Sequence, residues 1–374
     1  MSNVVPPEFS SSAWPTLAKE LDSSALSPAA RNFVEVIVEH PDLPERLAKM
    51  AQVFRKKKPK RDGLMLARAA RALAPKDQRV RILTEWLDRL EAPLWHFRIV
   101  HDEVRNEVYG RALEHFVKPG MTVFEIGTGT GILAMLAVRA GARHVYTCEV
   151  RPDVAAVARE IIKRNGMAER ITVIAKDARQ IVLGKDLPER ADIFVSEIVD
   201  DHLLGEQVLS LTEMARERFL KPDAVLLPRR ISAMGSLVTG RGHSEKYRMT
   251  EAAGFDMTPF NRFTPAMIAA GVGGGDVEPL SDPVPLLSFD LNENYPKEDS
   301  HSMRLPIKRA GTAEAVMRWL RLDFGEGIFF ENRPPQRSAW EPQLHLLSEP
   351  CSVKAGDTVD IDINYDFYRI YVNG

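Results

Sequence analysis

The chain has 374 residues, 44% of them hydrophobic, and a formal net charge of −2, as expected for a folded protein of two or three domains. This balance gives no overall basic field, so no nucleic-acid partner is expected. No apolar run approaches the ~18 residues of a membrane span, and the N-terminus carries no secretory signal. The two cysteines and the histidines show no metal-ligand spacing, so we expect a cytoplasmic protein with no metal site and no membrane partner.

Residues 1–90 are predicted to be helical after a loose, Ser- and Pro-rich lead-in over residues 1–30. The small-residue stretch 64–74 resembles the second helix of a tetratricopeptide repeat. Only one degenerate unit is present, and stacking of such repeats needs neighbours. A degenerate repeat and a small helical bundle both remain open.

Residues 55–61 form the only basic cluster. Such a run can attract an acidic partner or act as an address signal. No aromatic residues interleave it for base stacking, so a solvated loop between helices is favoured.

Residues 91–118 are amphipathic and directly precede the first predicted strand. A helix in this place can fold over the ligand edge of a sheet as a lid. Arg105 within it is suited to bind a carboxylate, because its planar fork matches a carboxylate bidentately.

From 119 to 229 the sequence alternates regularly between strand-like and helical patterns, which predicts a parallel sheet covered on both faces. The predicted strands are 122–126, 144–149, 171–175, 192–196 and 224–228. Ligands of such sheets bind outside the carboxyl ends of the strands. Four acidic residues fall at or near those ends: Glu125, Glu149, Asp177 and Glu197.

A glycine-rich turn after the first predicted strand gives the clearest cofactor signal. Its glycines are Gly127, Gly129 and Gly131. Glu149 lies at the tip of the neighbouring strand, in reach of a ribose diol. Ile132 occupies the position where a dinucleotide fold needs a small residue. The turn therefore predicts an adenosine cofactor without a pyrophosphate, S-adenosylmethionine, and the alternative is a plain turn that binds nothing.

The loop after the fourth predicted strand carries Glu197 and, nine residues later, Glu206. Two carboxylates that converge beside a cationic cofactor are costly unless another cation lies between them. A guanidinium is permanently charged and can engage both acids with its five donors. Alone, Glu206 would be interpreted as an acid favoured by the dipole at a helix N-terminus.

Residues 230–374 change to short β runs bounded by turn residues, which predicts an all-β sandwich or barrel. The glycine-rich stretch 271–275 is expected to be a flexible tip between its first strands.

These features together resemble the protein arginine N-methyltransferase family over about residues 94–374. The resemblance rests on the glycine turn, on Glu149, on Asp102-Glu103-Val104-Arg105, and on the loop Glu197-x-x-Asp200-x-x-Leu203-x-Gly205-Glu206. The loop is closest to the monomethylating type III branch and to its sister branch with N-terminal tetratricopeptide repeats. The resemblance implies an α/β fold in which a Rossmann-like, class I S-adenosylmethionine-dependent methyltransferase domain (119–229) precedes a β-barrel substrate domain (230–374), with a helical N-terminal region.

The resemblance also implies roles for individual residues. The catalytic pair would be Glu197 and Glu206. The residues expected to bind the cofactor are His96, Arg105, Gly127, Thr128, Gly129, Glu149, Asp177 and Ala178. Those expected to bind the substrate are Ile99, Asp200, Ser338 and Trp340. The family's Thr-His-Trp loop is Ser338-Ala339-Trp340 here, so its histidine is missing.

The implied activity is methyl transfer from S-adenosylmethionine to an arginine guanidino nitrogen of a protein or peptide, with monomethylation expected. A homodimer is a further expectation, although the arm around 239–260 that would join the two copies is short. Two alternatives remain open: methylation of another cationic or amide acceptor, such as a peptide or small metabolite, and a weakly active scaffold that binds through the helical N-terminus.

Overall fold

The computed structural model describes Leu17, Leu21 and residues 25–56, 60–91, 93–240, 246–271 and 277–374. The chain divides into two compact units, Met1–Leu94 and Trp95–Gly374. Three sequence predictions lie partly outside the described residues: most of the lead-in over 1–24, the centre of the basic run at 57–59, and the glycine-rich tip after Gly271.

The first unit is helical where it is described. Its helices are α1 (Pro28–Ile37), α2 (Leu43–Phe54), α3 (Arg61–Leu73), α4 (Gln78–Leu83) and α5 (Glu85–Glu91). Ser27 caps α1, and Asp77 caps α4 by accepting hydrogen bonds from two backbone N–H groups. Small side chains along α2 and α3 are fully buried and let these helices pack closely. The likeness to a tetratricopeptide repeat stays a prediction.

The second unit begins with two helices and a five-stranded parallel sheet. The helices are α6 (Trp95–Val100) and α7 (Glu103–Phe116), and the strands are β1 (Thr122–Ile126), β2 (His144–Cys148), β3 (Ile171–Ile174), β4 (Ala191–Ser196) and β5 (Leu220–Leu227). The strand order is β3-β2-β1-β4-β5, with α8 (Ile132–Arg139), α9 (Pro152–Arg164) and α10 (Val208–Phe219) in the connections. Every residue of the central strand β1 is buried, as expected for a sheet covered on both faces.

The remainder of the second unit is antiparallel. Its strands are β6 (Arg230–Thr239), β7 (Glu251–Ala252), β8 (Phe255–Asp256), β9 (Met267–Ala269), β10 (Glu278–Pro279), β11 (Val284–Asp290), β12 (Asp299–Pro306), β13 (Gly311–Gly325), β14 (Ile328–Glu331), β15 (Gln343–Val353), β16 (Thr358–Tyr365) and β17 (Ile370–Asn373). A seven-stranded sheet is built around β6, β13 and β15, and a three-stranded sheet has the order β12-β16-β17. One hydrophobic core includes side chains from both sheets and from the parallel sheet. The fold class predicted from the sequence is confirmed.

Among the described residues, no helix is both long and apolar enough to cross a bilayer.

Candidate active site

The turn after β1 is held in a left-handed backbone conformation that favours glycine. Positive φ angles occur at Gly127 (90°), Gly129 (52°) and Gly131 (83°). The backbone N–H groups of Gly127 and Thr128 both donate to the Cys148 carbonyl, each at 3.0 Å. The turn is thereby fixed to the end of β2, and the N-terminus of α8 begins directly after it.

Glu149 follows β2 and is 7% exposed. One carboxylate oxygen accepts from the Gly129 N–H and the other from the Arg151 N–H, both at 3.0 Å. Glu149 therefore orders the glycine turn, in addition to the ribose contact predicted for it.

A cavity of about 340 Å³ opens at this edge of the parallel sheet. Eleven of the fourteen site residues expected from the sequence line it: His96, Ile99, Arg105, Gly127, Thr128, Gly129, Glu149, Asp177, Ala178, Glu197 and Glu206. The cavity thus joins α6 and α7, the glycine turn and both carboxylates of the loop 197–206, which we call the double-glutamate loop.

Arg105 is 2% exposed and lies in the first turn of α7, where its N–H donates to the N-cap residue Asp102 at 3.0 Å. Its guanidinium makes a 2.7 Å ion pair with Glu197 and donates to Asn106 at 2.6 Å. The Nε atom makes no hydrogen bond to any described residue. A buried guanidinium with a donor to spare fits the carboxylate of an amino-acid cofactor.

The carboxyl groups of the double-glutamate loop have unusual proton affinities. Burial raises the pKa of Glu197 to about 7, although the charge of Arg105 opposes this shift. Burial, the charge of Glu197 and then those of Asp200 and Glu149 raise the pKa of Glu206 to about 8. Acids with raised pKa values in a cleft are typical of a functional site.

Glu125 is a cavity residue to which sequence reasoning gave no role. It is 1% exposed, and burial raises its pKa to about 8, a shift that the Thr147 hydroxyl and the charge of Arg105 oppose. The available signal was its place in an otherwise apolar strand, directly before the glycine turn. This donor set of acids, one buried guanidinium and turn N–H groups fits a cofactor with a ribose diol, a carboxylate and positive charge.

Asp200, one of three expected site residues outside the cavity lining, is turned into its own loop. Its carboxylate accepts from the backbone N–H groups of His202 (3.0 Å) and Gly205 (3.1 Å). A Cβ atom on residue 205 would lie 2.0 Å from the Asp200 Oδ2 atom, so any larger residue there would displace the Asp200 carboxylate.

Ser338 and Trp340 are the other expected site residues that do not line the cavity. They connect the β strands to the rest of the site. The Ser338 hydroxyl donates to Asp102, the N-cap residue of α7, at 2.7 Å. The Trp340 indole N–H donates to the Val199 carbonyl at 3.0 Å. Their roles in substrate binding stay predictions. Across the described parts of the chain, no cluster of three or more His, Cys, Asp or Glu could hold a metal ion.

A profile of the ribosomal protein L11 methyltransferase family (PrmA) matches residues 110–227. The chain is 36% identical over 287 residues to the arginine N(omega)-methyltransferase of Streptomyces achromogenes subsp. streptozoticus, which covers 76% of this chain and 80% of that protein. It is 30% identical over 321 residues to protein arginine N-methyltransferase 7 of Drosophila ananassae. That match covers 73% of this chain and 46% of the relative, so the chain spans about half of its length.

Two solved structures share the fold. The Trypanosoma brucei PRMT1 enzyme–prozyme heterotetrameric complex with AdoHcy has a TM-score of 0.66 at 24% identity, over 74% of this chain and 89% of that chain. Arabidopsis thaliana protein arginine methyltransferase 10 has a TM-score of 0.62 at 21% identity, over 76% and 99%. These relatives identify the chain as an S-adenosylmethionine-dependent N-methyltransferase. The chain belongs to the protein arginine methyltransferase family.

Proposed function

We propose that this chain methylates a guanidino nitrogen of an arginine in a protein or peptide, and that monomethylarginine is the main product. The observation that carries the proposal is one cavity lined by two carboxylates, Glu197 and Glu206, and by the glycine turn with Glu149. Carboxylates with raised pKa values beside a cofactor cavity favour a cationic acceptor.

The residues of the chain bind and orient the acceptor. S-adenosylmethionine supplies a methyl group that is already activated on a sulfonium. Glu197 and Glu206 would grip the guanidinium and direct one of its nitrogens toward that methyl group. Orientation of this kind can contribute roughly 7–11 kcal/mol to lowering the barrier. We assign the glycine turn, Glu149 and Arg105 to holding the cofactor.

Glu206 is suited to take the proton that the guanidinium must release. A guanidinium, with a pKa above ~12, does not lose its proton before the transfer. As methylation proceeds that proton becomes acidic, and a carboxylate with a pKa of about 8 is a better acceptor than an ordinary one. Glu197, paired with Arg105, would mainly hold and polarise the acceptor.

Free arginine is a second candidate acceptor. The Streptomyces relative is named for arginine and its ω nitrogen, without reference to a protein. Ser338-Ala339-Trp340, where the family's histidine is missing, is consistent with an acceptor other than a folded protein. The two candidates share the same guanidinium chemistry and differ only in what surrounds it.

Intact-mass analysis with isotopically labelled cofactor tests these proposals. The enzyme is incubated with a single-arginine peptide, the matching lysine peptide and free arginine, with Glu206→Gln as the inactive control. A mass gain of one methyl group on the arginine peptide supports the proposal. If only free arginine is methylated, the acceptor is the amino acid and not a peptide. Methylation of the lysine peptide would contradict a guanidinium acceptor.

We further propose that residues 119–229 bind the cofactor, that 91–118 act as a lid, and that 230–374 bind the substrate. Two copies are proposed to associate through the arm that follows β6, whose Phe255 and Phe263 side chains are 67% and 63% exposed. We also propose that residues 1–90 form a degenerate tetratricopeptide-like region and that the protein acts in the cytoplasm. Light scattering of the full chain tests the association.

A further inference from the structure

Arg318, in the centre of β13, is a buried charge that the proposed reaction does not use. Its side chain is 0% exposed. The Nε atom donates to His345 Nε2 at 3.1 Å, while neither Nη atom has a hydrogen-bond partner within the described ranges. Buried, unpaired donors on a charged group destabilise a fold, so such a group calls for a compensating role.

The negative charges that act on Arg318 belong to the double-glutamate loop, although no ion pair joins Arg318 to that loop among the described residues. Burial lowers the pKa of Arg318 to about 10, and the negative charges of Asp200 and Asp201 oppose that shift. His345 adds no competing charge, because burial and then the nearby Arg318 lower its pKa to about 3. A neutral His345 leaves its Nε2 lone pair free to accept from Arg318. The half-buried His202 also lies close to both aspartates.

Asp200 and Asp201 stand between the two glutamates of the loop, at its bend. Asp200 accepts from two backbone N–H groups of its own loop, and Asp201 accepts from the Glu341 N–H at 2.8 Å. The hydrogen bonds of Asp200 therefore stabilise the bend within the loop, and the hydrogen bond of Asp201 connects the bend to the segment before β15. In the register of β13 with β15, Arg318 stands opposite Gln343, two residues after Glu341, whose N–H donates to Asp201.

We propose that Arg318 is a positioning residue for the double-glutamate loop. Its buried positive charge attracts Asp200 and Asp201 and thereby sets where Glu197 and Glu206 meet the acceptor. This inference rests on the proposed function, and it assigns to the β sheet a part in the acceptor site.

Kinetics of three variants of the full chain test the inference: Arg318→Met, Arg318→Lys and the matched control Arg321→Met. Arg321 lies on the same strand but pairs with Glu331 at 3.2 Å. We expect Arg318→Met to lower kcat/KM for the arginine peptide by about tenfold or more and to leave the cofactor Kd within about twofold. Arg318→Lys should recover part of the loss, and Arg321→Met should behave as wild type.

The pH profile separates positioning from a purely structural role. Glu206 is faced by the charges of Glu197, Asp200, Glu149 and Arg151. Without the positive charge of Arg318, the negative charge of Asp200 acts more strongly on Glu206 and raises its pKa. The acid limb of kcat/KM should therefore move to higher pH in Arg318→Met. Asp200→Asn keeps an oxygen acceptor for the loop N–H groups and removes the charge, so it should move that limb to lower pH.

An Arg318→Met enzyme with reduced thermal stability but wild-type kcat/KM and pH profile would overturn the inference, as would an equal loss in Arg321→Met. If Arg318→Met does not fold, Arg318→Lys decides: an intermediate kcat/KM with unchanged cofactor Kd supports positioning, and wild-type kcat/KM contradicts it. A wild-type enzyme that methylates no arginine acceptor would refute the proposed function itself. An active wild type with fully active Arg318 variants would refute only this inference.

Discussion

Arg105 Nη2 lies 2.7 Å from Glu197 Oε2, and the two side chains are 2% and 11% exposed. This ion pair joins the lid helix α7 to the double-glutamate loop. It also opposes the neutralisation of Glu197 that burial favours, because Arg105 is the main influence that lowers the pKa of Glu197. Arg105, which is predicted to bind the cofactor, therefore also influences the charge of Glu197, which is predicted to bind the acceptor.

Replacement of Arg105 alone should destabilise the fold more than replacement of both Arg105 and Glu197. Arg105→Met leaves Glu197 buried without its partner, so that its charge must be either unpaired or neutralised at a cost, whereas a well-packed neutral replacement of both partners is often tolerated. We expect the free energy of unfolding to fall in Arg105→Met and to recover substantially in Arg105→Met/Glu197→Gln. Urea denaturation at pH 8 measures both.

The same experiment at pH 6 provides the control. There Glu197 can take up a proton, since its pKa lies near 7 and rises further without Arg105. The destabilisation by Arg105→Met should therefore be smaller at pH 6 than at pH 8. Equal losses at both pH values would show that packing, and not charge, accounts for the effect.

Cofactor binding should depend on Glu149 in two ways. Glu149→Ala removes the predicted ribose contact and also the acceptor for the Gly129 N–H that orders the turn. Loss of charge-assisted hydrogen bonds of this kind costs about 1.5–3 kcal/mol each. Calorimetric titration with S-adenosylmethionine should show weaker binding than for the control Glu160→Ala, an exposed acid of α9. Unchanged affinity would contradict the assignment.

Sequence reasoning located the cofactor edge because that edge follows from local patterns. Strand ends in a parallel sheet converge, so Glu149 and Glu197 could be placed beside the glycine turn before any coordinates were known. Contacts between distant segments carry no such pattern. The bond from Ser338 to Asp102 joins residues 236 positions apart, and Arg318, on which the charges of Asp200 and Asp201 act, lies in another sheet. Neither could be derived from spacing along the chain.

Glu197→Gln and Glu206→Gln should each remove methylation while leaving cofactor affinity nearly unchanged. Both substitutions keep the shape of the side chain and remove the charge that grips the guanidinium in the transition state. The measurement is single-turnover methylation of the arginine peptide together with the cofactor Kd. Glu217→Gln, an exposed acid in α10, is the control. A variant with more than about a tenth of wild-type activity loses less than ~1.4 kcal/mol and would make that glutamate a structural residue.

Glu125 should make the fold less stable at high pH. Its pKa is about 8 in the folded protein against an ordinary value of 4.5, so the stability it contributes is fully present below pH 4.5 and is lost as the pH rises through about 8. Glu125→Gln removes this dependence and should gain stability over wild type at pH 8.5 while gaining less at pH 5. Thermal unfolding without cofactor across this range tests the sign. An equal shift at all pH values would exclude ionisation as its cause.

The number of methyl groups transferred depends on how the double-glutamate loop accepts a guanidinium that already carries one. Such a guanidinium has lost a donor, and a carboxylate left without its partner costs about 1–3 kcal/mol, a roughly ten- to hundredfold bias against a second transfer. Asp200 adds to this bias through its charge, since it raises the pKa of Glu206 without lining the cavity. Ile99 is 9% exposed and does line the cavity, so we expect the room for a second methyl group to depend on its side chain.

We therefore expect monomethylarginine as the main product of the wild-type enzyme, even at long incubation with excess cofactor. Ile99→Ala should allow some dimethylation, because it opens space at the lid without changing any charge. Asp200→Asn should do so less, because it lowers the negative charge but leaves the cavity wall intact. Mass spectrometry of a single-arginine peptide measures all three enzymes, and Val104→Ala, an exposed lid position, is the control. Predominant dimethyl product from the wild type would overturn this expectation, whereas dimethylation confined to Ile99→Ala would identify space at the lid as the limiting factor.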